Sequence, residues 1–219
     1  MNIRAVIRPA FALLAASALA PLASCNIVAP AYLLVHGPEK TPALHRLDEN
    51  RPTVVFIDDR ASVLPRRTLR STIGRAAEQA LMSDAGLKQV LDSQAVQAVA
   101  ARDDSDRPTD IASIGAAVKA EVVVYAAVER FSLTPDGQTY QPFSIARVKV
   151  IDVVSGKRRW PEDREGYTLQ VILPQRSHDI PSGAAGVAKA QESLAEQLGV
   201  ALAKLFYKHE ARPPAKDRG

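Results

Sequence analysis

The chain has 219 residues, 47% hydrophobic, 24% charged and 5% aromatic, a length that fits one domain with tails. Its net charge of +4 is carried in part by Arg4 and Arg8 near the start and by the basic tail from Lys208 to Gly219, so the middle is close to neutral. A near-neutral body with few aromatics argues against a nucleic-acid binder, which needs a basic face and stacking rings.

The first segment has basic residues at Arg4 and Arg8, then a short apolar run without charge up to Cys25. That run is too short to span a bilayer as a helix and reads as an export signal. Cys25 is the single cysteine of an exported chain, so an internal disulfide is excluded. Leu22-Ala23-Ser24-Cys25 resembles the lipobox of bacterial lipoproteins. The resemblance implies removal of residues 1–24, a diacylglycerol on the Cys25 thiol and an acylated new amino terminus. Multiple acyl chains hold a membrane firmly, each buried methylene adding about 0.8 kcal/mol. Asn26 follows, and by the enterobacterial sorting pattern this implies the outer membrane, facing the periplasm, ahead of the inner membrane or the cell surface. Residues 25–51, with Pro30, Pro38 and Pro42, read as a tether. The apolar run from Ala31 to Val35 leaves open whether that tether packs on the domain or on the bilayer.

Thr53–Ile57 is a β-branched and aromatic run ending in Asp58-Asp59, the pattern of a buried strand. Pro65 suits a first helical turn, and Leu69, Ile73, Ala76, Ala77, Ala80 and Leu81 form one apolar stripe that Gly86 would stop. Residues 87–91 read as an edge strand, 93–101 as a short helix and 103–108 as a polar break. Thr109 is placed to cap a third helix with Ile111, Ile114 and Val118 on its face. Val122 to Tyr125 predicts a central strand, and "TPDGQ" at 134–138 a turn. Ala146, Val148 and Val150 alternate with Arg147 and Lys149, as in a half-buried antiparallel strand, and Ser155-Gly156-Lys157 turns the chain. Tyr167, Leu169 and Val171 alternate in a further strand. Ser182 then caps a helix with Val187, Leu194, Leu198, Leu202 and Leu205 directed at the sheet. The order β-α-β-α-α-β-β-β-α predicts an α+β fold: a mixed, mostly antiparallel sheet of about five strands with helices packed on it. The domain is expected over 52–207, and 208–219 as a disordered tail.

"AEVVVYAAVERF" at 120–131 and "ARVKVIDVVSGKRRW" at 146–160 carry a family likeness. Together with the element order, Asp152, Ser155, Gly156 and Trp160 resemble the amino-terminal domain of TolB, the CsgG-type curli-secretion lipoproteins and the lipoprotein activators of penicillin-binding proteins. The likeness implies a periplasmic domain that binds other proteins. It does not imply a pore, because the connections at 134–140 and 155–164 are short. The same four residues also suit a plain hairpin turn.

Chemistry-bearing sets are scarce. His36, His45, His178 and His209 show no ligand spacing, so neither a metal nor another cofactor is expected. A glycine-rich phosphate loop and a G-x-S-x-G elbow are both missing, and no enzyme is expected. One charged cluster stands out: Asp58 and Asp59 end the first strand, with Arg60, Arg66, Arg67 and Arg70 around the start of the next helix. Arg66 and Arg70 either pair with the two aspartates or make a pocket for an anionic group. The leading expectation is an envelope lipoprotein acting by contact with another envelope protein, as an assembly or regulatory component. A ligand-binding lipoprotein for a small anion or glycan is the alternative. Self-association into a homo-oligomer is compatible with either.

Overall fold

The computed structural model describes residues 40–102, 109–174 and 180–210. The leader, Cys25, Asn26, the break at 103–108 and the tail from 211 lie outside the described residues. Two units are distinguished, and Pro42–His209 holds the whole domain. Two-residue strands stand at the ends of the description, Lys40–Thr41 and His209–Glu210.

Inside the domain the strands are β1 (Thr53–Asp58), β2 (Val90–Leu91), β3 (Val122–Ser132), β4 (Phe143–Asp152), β5 (Lys157–Trp160) and β6 (Tyr167–Ile172). The helices are α1 (Thr68–Ser83), α2 (Ser93–Ala100), α3 (Ile111–Ala117) and α4 (Gly183–Lys204). One sheet runs in the order β2-β1-β3-β4-β5, and β6 also pairs with β4. β1 is parallel to both β2 and β3, while β3–β4, β4–β5 and β4–β6 are antiparallel. The α+β reading therefore holds.

Helices cover both faces. Against α1 and α4 pack Val55, Ile57, Val122, Val124, Ala126, Val148 and Val150; against α2 and α3 pack Val54, Phe56, Val123 and Ile151. This two-sided cover explains why β1 is apolar without alternation and buried at every position. α1 and α4 approach so closely that a Cβ on Gly199 would lie 2.8 Å from Ala76 Cβ and 3.0 Å from Ala77 N. Only glycine fits there.

Several local expectations are corrected. Pro65 lies ahead of α1, which starts at Thr68. Asp110, not Thr109, caps α3, its carboxylate accepting from Ser113 N–H at 3.0 Å. Ser182 occupies the N-cap position of α4 without a side-chain cap bond, and Val187 is 37% exposed rather than turned to the sheet. β5 forms inside the connection expected at 155–164, where "KRRW" shows no apolar alternation. Pro42–Arg51 packs on the domain: Leu44 and His45 N–H donate to Leu205 C=O at 2.8 and 3.2 Å, and Leu47 joins the α1–α4 core. Among the described residues no helix is long and apolar enough to cross a membrane.

Candidate functional site

The carboxyl end of β1 brings the charged cluster together, with pairings the spacing did not specify. Asp58, 7% exposed, accepts from Tyr125 Oη at 2.6 Å and pairs with Arg60 Nε at 3.1 Å. Tyr125 reaches it because β3 runs parallel to β1 with Phe56 opposite Tyr125. Burial, and then the hydrogen bond to Asp58, push the Tyr125 hydroxyl pKa well above the usual phenol range. Asp59 closes the following loop: its Oδ1 accepts from Val63 N–H at 2.7 Å, and its Oδ2 lies 3.5 Å from Arg70 Nη2. Arg70 Nη2 also donates to Asp59 C=O at 3.1 Å. Arg66 goes elsewhere. Its Nη2 donates to Ala188 C=O at 2.9 Å and its Nε to Gln191 Oε1 at 3.3 Å, with Glu192 3.9 Å away, so it ties the α1 approach to α4. Arg66 and Arg70 do not converge on one point.

The hairpin residues form a second centre. Asp152 ends β4 and is 2% exposed. Oδ1 accepts from both the N–H and the hydroxyl of Ser155 at 2.8 Å, and Gly156 follows with φ +67, which closes the turn. Oδ2 accepts from Arg51 Nη1 at 2.9 Å and Arg159 Nη2 at 3.0 Å. Arg51 is also bound to Glu121 Oε2 at 2.9 Å. The Ser155 N–H, then Arg51 and the Ser155 hydroxyl, hold the Asp152 carboxyl well below the usual range. Trp160 is placed apart from this charge: it stacks on His45 with centroids 6.0 Å apart and meets Tyr167 at 5.1 Å and Phe206 at 6.0 Å. Sequence reasoning missed Tyr125, Arg51, Glu121 and Arg159. Their partners lie far along the chain or across a bulge, and a spacing rule reads neither.

Two surface grooves bear on ligand binding. One of about 640 Å³ runs between α1 and α4 past Arg75 and Glu196. Another of about 510 Å³ is lined by Pro65, Phe131, Leu133, Ile180 and Val187. Neither is lined by Asp58, Asp59, Arg66, Arg70 or Asp152.

The outer side of the sheet is uneven. Leu173 N–H donates to Pro142 C=O at 2.9 Å, and β6 continues from there in simple antiparallel register, with Val171 opposite Ser144 and Leu169 opposite Ala146. Backbone bonds alternate along such a ladder. Tyr167, Leu169 and Val171 therefore point theirs at β4, and Thr168, Gln170 and Ile172 point theirs away. Among the described residues nothing receives them. Thr168 and Gln170 are exposed and Ile172 is 48% exposed.

No family model matches the sequence, and no curated protein matches it. Solved structures do. The PelC dodecamer from Paraburkholderia phytofirmans matches at 16% identity over 77% of this chain and 97% of that one, with a TM-score of 0.44. Protein XCC0632 from Xanthomonas campestris matches at 11% identity, 74% and 85% coverage and TM-score 0.45. Lipoprotein GNA1162 from Neisseria meningitidis matches at 13% identity, 68% and 97% coverage and TM-score 0.40. Assembly into a dodecamer and lipidation are features of those proteins, and likeness at this level carries neither over to this chain.

Proposed function

We propose that the chain is a lipid-anchored protein of the bacterial envelope, held at the outer membrane through Cys25, whose α+β domain works by protein contact as an assembly or regulatory component. The observation that supports contact most directly is the edge of β6. It is uncharged and free of proline, and among the described residues nothing pairs with its outward N–H and C=O groups. Sheet edges of that kind are templates for another strand. No chemical step is assigned to the domain. A small-anion site at Arg66 and Arg70 has less support, because the first is bound to α4 and the second to Asp59.

The test is labelled-palmitate incorporation with in-cell crosslinking, comparing wild type with Cys25→Ala. Wild type is expected to take up label and crosslink to a defined envelope protein or to itself, and the variant to do neither. Absence of label on wild type would sink the anchor. Label without any crosslinked species would sink the contact role and bring ligand screening forward.

A further inference from the structure

Among the described residues the sheet ends in three edge strands, β2, β5 and β6, and two of them are guarded. β2 is only two residues long. β5 carries Lys157, Arg158 and Arg159 and is followed by Pro161, while Arg158 donates to the Arg164 and Glu162 carbonyls at 3.0 and 3.1 Å and locks its own loop. Short length, positive charge and proline are the ordinary defences of an edge strand. β6, "YTLQVI", has none of them.

We infer that β6 pairs antiparallel with β6 of a second copy of this chain, across a two-fold axis at Gln170. The inference rests on the contact role proposed above and names its partner. An interface about a two-fold must match itself, and this strand does. Centred on Gln170, Thr168 faces Ile172 and Gln170 faces Gln170 on one side of the sheet, while Leu169 faces Val171 and Tyr167 faces Leu173 on the other. Each outward-facing pair exchanges N–H and C=O in both directions. No like charges meet, because β6 is neutral. Arg147, which donates to Thr168 Oγ1 at 2.7 Å, is neutralised by Glu129 at 3.0 Å.

The basic β5 lies beyond the amino end of β6 along β4, since β5 pairs with residues 150–152 and β6 with residues 143–148. Antiparallel pairing therefore sends the two basic strands to opposite ends of the joint. A partner strand of another protein would need only main-chain complementarity. The side-chain match across Gln170 favours the second copy. One six-residue edge buries less than the roughly 1,600 Å² of a standard interface. Confinement of both copies to one membrane raises their effective concentration, so the anchored full chain is the form to test.

The experiment treats cells carrying the full-length chain with a short bismaleimide, using wild type as the background for Cys25. Gln170→Cys should give a band at twice the protomer mass. Thr168→Cys alone should not, because its two copies stand opposite Ile172, whereas Thr168→Cys with Ile172→Cys should. Adding Gln170→Pro to that pair should abolish the band. The Gln170 N–H points away from β4, so proline removes the pairing without removing a bond within the fold. Circular dichroism of each variant checks that the fold is intact. A Gln170→Cys thiol that reacts with maleimide yet never crosslinks to itself overturns self-pairing, and so does equal crosslinking through Thr168→Cys. If self-crosslinks are absent but Gln170→Pro still loses a different envelope protein, the partner is wrong and the contact role stands. If neither is seen, both fall.

Discussion

Replacing Asp152 by Asn isolates the charge at the centre of the hairpin. Asparagine keeps the volume and the acceptor facing Ser155 N–H, but it turns an amide NH2 toward two guanidiniums. Arg159 is 58% exposed and can turn to water, so its share is small. Arg51 is 25% exposed and keeps Glu121, which softens the loss without removing it. A hydrogen bond to a charged group contributes about 1.5–3 kcal/mol, and after those discounts the variant should lose about 2 kcal/mol. In a domain of this size that lowers Tm by about 4–8 °C. Urea unfolding should show a lower midpoint with an unchanged slope. The pH dependence has a defined sign. Asp152 is depressed in the folded state and titrates near pH 4 when unfolded. Its stabilisation is therefore complete above about pH 4 and is lost as pH falls through the folded value. The gap between wild type and Asp152→Asn should be flat from about pH 8 to about pH 5 and narrow only below about pH 4. A variant as stable as wild type, or a gap that closes between neutrality and about pH 5, would refute the assigned role.

Tyr125→Phe removes the 2.6 Å bond to a nearly buried carboxylate and leaves Asp58 with the 57%-exposed Arg60. It should cost about 1–3 kcal/mol in urea unfolding, and a neutral result would mean that water replaces the phenol there. Gly199→Ala gains about 1 kcal/mol of helix propensity but drives a methyl group into the backbone of α1 beside Ile73 and Ala77. Overpacking of about 1–3 kcal/mol should win, with a net loss in Tm. A stabilised Gly199→Ala protein would show that α1 and α4 have room to separate.

The parts of the fold legible in the sequence are those written by burial. Val54–Ile57 of β1 is an unbroken apolar run because helices cover both faces, and β3 and the Leu194–Leu202 stripe of α4 follow from the same cause. β5 is invisible because its order comes from hydrogen bonds and from one ring, Trp160, rather than from alternation. The Pro42–Arg51 segment looks like a tether because Pro42 and its polar residues mask two anchors, His45 on Trp160 and Arg51 on Asp152. In the charged cluster the residue types were readable and the partners were not. Arg66 and Arg70 share a helical face only if the helix begins at Pro65. With α1 starting at Thr68, Arg66 lies in the preceding turn and its side chain crosses to α4.

Asp152 organises the basic half of the outer edge. The register of β4 with β5 shifts between Val150 and Ile151, so that Arg158 stands opposite Ile151 and Trp160 opposite Val150. That extra residue is Arg159, and the bulge lets it fold back on Asp152, while Arg158 is held on its own loop. Ser155 and Gly156 set the turn that makes this geometry possible. A carboxylate that orders the hairpin thereby also keeps positive charge on the half of the edge it belongs to. Among the described residues the neutral half, β6, is the half left without a strand beside it, and the side chains it presents there are ones that a second copy can match.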